Sequence, residues 1–106
     1  MEDRELIMKT SAYIDSHRDE MLSLWEKIVS IESGTPDKEG VDRVGAVLKA
    51  ELESAGVETA VIPMERFGNL LTGVWNKEAA DQPIVLIGHM DTVFALSLIH
   101  ISEPTR

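Results

Sequence analysis

The sequence predicts an α/β fold in which two or three helices precede a β-hairpin and one buried strand. Three observations carry this prediction. Apolar residues recur at helical spacing through residues 6–55, two β-prone segments flank a turn-like stretch at residues 66–69, and residues 84–87 form an uninterrupted aliphatic run. The order helix, helix, strand, strand, strand is typical of the first part of an α/β sandwich.

The first helical region is an amphipathic stripe along residues 6–31, where apolar side chains are spaced three and four apart. Ser16 with Asp19 three positions later fits the N-cap of a second helix within this stripe. One long helix and two shorter helices therefore both remain open. His17 lies on the stripe, and a half-buried helix position is favoured over a role as a ligand.

A loop and another amphipathic helix follow. Residues 33–37, Ser-Gly-Thr-Pro-Asp, form a loop by composition, and the residues alone favour a plain helix–helix connection slightly over a segment at an active site. Gly40 begins the next helix, and Gly56 fits the left-handed position that ends one. The apolar face of this helix consists of Val41, Val44, Leu48, Leu52 and Ala55.

The β-prone segments at residues 57–62 and 69–75 predict a β-hairpin around the turn-like residues 66–69. Trp25, in the first helical region, and Trp75, at the end of the hairpin, are expected to be core anchors rather than ligand-stacking residues.

The third predicted strand carries the strongest functional signal. Residues 84–87, Ile-Val-Leu-Ile, would place aliphatic side chains on both faces of a strand, which predicts a strand that is buried on both faces. His89 and Asp91 follow two positions apart and should project to the same side. Ligands collect at the carboxyl ends of strands, and a carboxylate beside a metal-bound histidine fixes its tautomer. The pattern indicates a metal ligand with a supporting carboxylate; the alternative is a core histidine bonded to a local carboxylate.

Residues 85–93, Val-Leu-Ile-Gly-His-Met-Asp-Thr-Val, closely resemble the first metal-ligand motif of the M20-type zinc metallopeptidases. This family includes carboxypeptidases, aminoacylases, acetylornithine deacetylases and succinyl-diaminopimelate desuccinylases. Residues 31–36, Ile-Glu-Ser-Gly-Thr-Pro, resemble an early turn of the same family, and the pair at residues 68–69 resembles its Gly-Asn entry into the hairpin strand. The resemblance spans about residues 22–94 and is nearest to the glutamate carboxypeptidase branch.

The resemblance implies that residues 1–95 are the N-terminal portion of a zinc-exopeptidase-like three-layer α/β sandwich. It makes His89 a zinc ligand and Asp91 a catalytic-site residue that holds the His89 ring through its other nitrogen. The full-length protein would carry Zn²⁺, as a pair of ions, with the bridging aspartate, the general-base glutamate and the other ligands downstream. It would hydrolyse an amide bond beside a free carboxylate in a small peptide or N-acyl amino acid. Whether it is a homodimer stays open.

Residues 96–106 match, residue for residue, the in-frame translation of a transposon-based sequencing adapter. We therefore expect residues 96–106 to be a non-native tail, in which His100 is not a ligand. The alternative is that these residues form a genuine short strand. The chain as a whole is expected to be an inactive fragment.

The charge and the residue composition of the chain narrow the possible binding partners and metal sites. The formal net charge of -9 disfavours binding to nucleic acid and to anionic membranes, and the absence of cysteine excludes disulfides and thiolate zinc sites. The acidic N-terminus does not resemble a signal peptide, so a cytoplasmic protein is expected. The second class that remains open is a small, non-catalytic α/β binding or interaction module, in which His89 and Asp91 form only a structural hydrogen bond.

Overall fold

The structure is a computed structural model that describes residues 2–93. Its helices are α1 (Asp3–Ser16), α2 (Arg18–Val29) and α3 (Lys38–Ser54), and its strands are β1 (Glu58–Ile62) and β2 (Leu70–Val74). The chain forms two compact units, one ending at Ser30 and the other beginning at Ile31. The predicted mixture of helices and strands is confirmed, and this secondary-structure content is compatible with a small α/β fold.

The first unit contains two helices, and the break between them lies at His17. The predicted Ser16 cap is wrong, because Ser16 is still helical and its hydroxyl donates to the Tyr13 carbonyl at 2.8 Å. His17 is half-buried, as expected, and its ring stacks on that of Tyr13 with 4.0 Å between the centroids. The two helices bury none of their residues.

The prediction that both tryptophans are core anchors is wrong. Trp25 is 63% exposed and Trp75 is 74% exposed. An amphipathic helix buries its apolar stripe only where another element covers it. The unit containing Trp25 has only two helices, and Trp75 follows the last residue of β2, so neither indole is enclosed.

The second unit is built on α3, which packs against the hairpin. The Asp37 side chain accepts a hydrogen bond from Gly40 N at 3.0 Å and caps the helix, which therefore begins at Lys38, two residues before the predicted start. Gly56 has a φ of 84°, which confirms its predicted left-handed position. Val41 and Val44 are the buried apolar side chains among residues 2–93.

The predicted hairpin is confirmed. Strands β1 and β2 are antiparallel, with Glu58 opposite Val74 and Ile62 opposite Leu70.

A polar network ties the hairpin turn to the start of α3. Lys38 Nζ lies 3.0 Å from Asp42 Oδ2 and 2.8 Å from Asn69 Oδ1, while Asn69 N donates to Asp42 Oδ1 at 2.8 Å. The Asn69 N–H, and after it the Lys38 ammonium, lower the pKa of Asp42. The helix N-terminus and the turn therefore share one ionised carboxylate.

The predicted buried strand at residues 84–87 is wrong for the described structure. These residues form no regular strand, and their exposed fractions run from 74% at Val85 to 92% at Ile87. A strand buried on both faces needs hydrogen-bonded neighbours and a covering layer on each side. The described sheet has two strands, and this segment pairs with neither of them. The aliphatic side chains therefore remain in water.

Residues 94–106, which include the predicted tail at residues 96–106 and His100, lie outside the described residues. Within residues 2–93, no helix has the length and apolar character that crossing a membrane requires.

Candidate functional site

Two loops that are far apart in the sequence meet in the second unit. Gly34 and Thr92 form a parallel β-bridge, in which Thr35 N donates to Thr92 O at 3.1 Å and Thr92 N donates to Ser33 O at 2.9 Å. Loop 33–37 is therefore more than a plain connection between helices. It lies against the segment that carries His89 and Asp91, and a role of this segment in an active site stays a prediction.

The side chains of His89 and Asp91 lie together, as predicted from their spacing. His89 Nδ1 is 3.2 Å from Asp91 Oδ1 and 2.9 Å from the Asp91 carbonyl oxygen. The His89 side chain is 79% exposed and that of Asp91 is 34% exposed. Because Nδ1 is occupied by these acceptors, Nε2 is the ring nitrogen that remains for a ligand.

Thr35 completes this cluster and was not predicted as a site residue. Its hydroxyl donates to Asp91 Oδ2 at 2.6 Å. This hydrogen bond is the main cause that lowers the pKa of Asp91; partial burial opposes it, and the backbone N–H of Asp91 and the His89 ring add to the lowering. The available signal was the resemblance of residues 31–36 to a family turn, but nothing in the spacing paired Thr35 with Asp91.

A cavity of about 540 Å³ lies beside this cluster. Thr35, His89 and Asp91 contribute the polar part of its lining. Its apolar walls come from α3 and the hairpin and include Leu48, Leu70 and Leu71. The imidazole is thus placed at the edge of a concave, mostly apolar surface, which is the usual setting of a small-molecule site.

The residues present fit one ligand of a zinc site but not a whole one. Within the described part of the chain, no three His, Asp or Glu side chains converge on a common point. Hydrolytic zinc is held by at least three protein ligands and a water. His89 has the features of one such ligand, since its Nδ1 faces a carboxylate and a carbonyl while Nε2 makes no hydrogen bond to residues 2–93.

Comparisons of the chain with protein-family models, with curated proteins and with solved structures gave no match. Function is therefore inferred from the chemistry of the Thr35–Asp91–His89 cluster and from the sequence motif that contains His89 and Asp91.

Proposed function

We propose that this chain is the N-terminal portion of a zinc-dependent exopeptidase or amidohydrolase, whose complete catalytic domain is a three-layer α/β sandwich. The observation that carries the proposal is the contact between His89 Nδ1 and Asp91, which leaves Nε2 for a metal. A carboxylate on the far nitrogen is the usual support of a zinc-bound histidine, because it fixes the tautomer and raises the basicity of the ligand.

In this proposal His89 is one zinc ligand and Asp91 orients it. Bound zinc supplies a Lewis acid and lowers the pKa of a bound water, which suits hydrolysis of an amide. The substrate class is a small peptide or an N-acyl amino acid with a free carboxylate beside the cleaved bond. The remaining ligands and the general base lie outside residues 2–93, so the chain alone is expected to be inactive.

The exposed aliphatic run at residues 84–87 supports this proposal. Burying an Ile, Leu or Val side chain contributes about 1.5–3 kcal/mol, and Ile84, Leu86 and Ile87 are each at least 89% exposed. Additional strands and helices that cover this segment would bury these side chains and so stabilise the folded protein. The run ends two positions before His89, so the same elements would enclose the proposed metal ligand.

The first test is the gene sequence downstream of the Phe94 codon. The proposal predicts an in-frame continuation with a second metal-binding aspartate in a Gly-rich setting and a Glu-Glu pair, in place of the adapter-like residues. A native stop codon soon after Phe94 would contradict it and favour the non-catalytic binding module.

A further inference from the structure

We infer that Thr35 is a positioning residue that strengthens the Nδ1–H tautomer of His89 by holding the Asp91 carboxylate. Only the purpose of this tautomer, to leave the Nε2 lone pair for zinc, rests on the proposed function. The contacts and the test are independent of that function, because they concern the described residues without metal or substrate.

The two oxygens of Asp91 have different partners. Oδ2 lies 2.6 Å from the Thr35 hydroxyl, and Oδ1 lies 3.2 Å from His89 Nδ1. The hydroxyl has one proton and a second neighbour, the Thr92 carbonyl, at 3.3 Å. A contact of 2.6 Å is in the range of charge-assisted O–H···O⁻ bonds, so the proton goes to Asp91. This bond fixes the rotation of the carboxylate and directs Oδ1 towards the imidazole.

Both groups that face His89 Nδ1 are acceptors. They are Asp91 Oδ1 and, at 2.9 Å, the Asp91 carbonyl oxygen. A neutral ring satisfies them only when Nδ1 carries the proton, which leaves the lone pair on Nε2. The side chain is 79% exposed, so packing does little to fix it and the hydrogen bonds decide the tautomer. Without the Thr35 hydroxyl, the Asp91 carboxylate is free to turn towards water, and the Asp91 carbonyl oxygen is then the one acceptor among residues 2–93 that still faces Nδ1, so the preference for Nδ1–H weakens without disappearing.

The hydroxyl can be removed without removing the backbone link. Thr35 N donates to Thr92 O at 3.1 Å, and this bond does not involve the side chain. Thr35→Val keeps the shape and loses the hydroxyl, whereas Thr35→Ser keeps the hydroxyl. The pair therefore separates the hydrogen bond from the packing of the loop.

The experiment is ¹⁵N NMR of the histidine rings in the full 106-residue chain, at one pH at which the rings are neutral and without added metal. His89→Gln identifies the His89 signals among those of the three histidines. The parent and Thr35→Ser should show mainly the Nδ1–H form. Thr35→Val should lower the ratio of Nδ1–H to Nε2–H about threefold or more, as expected for one lost hydrogen bond.

A Thr35→Val spectrum equal to that of the parent, or a parent ring mainly in the Nε2–H form, would overturn the inference. If Thr35→Val does not give the amide spectrum of a folded protein, Thr35→Ala replaces it in the comparison with Thr35→Ser. The tautomer of the parent tests the inference in either case. A Thr35→Val spectrum equal to that of the parent leaves the zinc proposal standing, because Nε2 of His89 still carries the lone pair; a parent ring mainly in the Nε2–H form would also count against the Nδ1 contact on which the zinc proposal rests. Failure of the zinc proposal leaves the tautomer measurement unaffected.

Discussion

Two glycines of α3 respond in opposite ways to the same substitution. A Cβ added at Gly40 would collide with the backbone oxygen of Glu32 and would come within 2.8 Å of Asp37 Oδ2. A Cβ added at Gly45 would meet only the end of the Met90 side chain, with the sulfur 3.5 Å away. Gly40→Ala should therefore destabilise the second unit, and Gly45→Ala should stabilise it.

The magnitudes follow from what each methyl group contacts. Alanine in place of glycine inside a helix contributes about 0.5–1 kcal/mol, which is the expected gain at Gly45. At Gly40 the obstacle is a backbone carbonyl, which cannot swing away, and such overpacking costs about 1–3 kcal/mol. The displaced methyl also strains the Asp37 cap, whose loss costs about 1 kcal/mol. The gain from alanine applies at both helix positions and cancels in the comparison, so the two variants should differ by the overpacking and cap terms, about 2–4 kcal/mol in the free energy of unfolding.

Urea denaturation followed by far-UV circular dichroism measures this difference, with the slope of each transition checked against that of the parent. Gly45→Ala serves as the matched control, because it makes the same substitution in the same helix. A Gly40→Ala variant as stable as the parent would refute the close approach of Glu32 to α3.

Three further predictions concern exposure, charge and metal. Leu86→Lys should change the free energy of unfolding by no more than about 0.5 kcal/mol, since Leu86 is 91% exposed; a loss of about 2 kcal/mol or more in urea denaturation would mean that the segment is buried. The pKa of Asp42 is lower in the folded than in the unfolded chain, so its stabilisation is complete above pH 3.8 and is lost as the pH falls through the folded value. Asp42→Asn should flatten the acid limb of a stability–pH profile, and an unchanged limb would be evidence against the network. The chain alone should bind Zn²⁺ weakly by isothermal titration calorimetry, because one imidazole and one carboxylate do not close a tetrahedral site; tight stoichiometric binding would disagree.

Local signals in the sequence predicted the elements that depend on neighbouring residues. Gly56 marked the end of α3 because a positive φ favours glycine, and the turn at residues 66–69 marked the hairpin. The two-helix alternative for the first region is confirmed, but the break lies at His17 and not at the predicted Ser16 cap, because the Ser16 hydroxyl bonds back to its own helix.

Contacts that span the chain were harder to predict. The run at residues 84–87 has the composition of a central strand, but composition cannot supply the neighbours that bury it. The spacing of His89 and Asp91 predicted their contact, since the two residues are only two positions apart in the sequence. The Thr35–Asp91 hydrogen bond links residues 56 positions apart, and the periodicity of the sequence does not predict contacts over such a distance.

The most direct test of the zinc proposal is the kcat/KM of the enzyme completed with its natural downstream sequence, measured with N-acyl amino acids and small peptides. His89→Ala should remove metal from its site and abolish nearly all zinc-dependent turnover, while Asp91→Ala should cost roughly 10–100-fold. His17→Ala is the matched control, because His17 stacks on Tyr13 in the first unit and should leave kcat/KM unchanged. A His89→Ala enzyme within a few-fold of the parent would contradict both the ligand assignment and the proposed family.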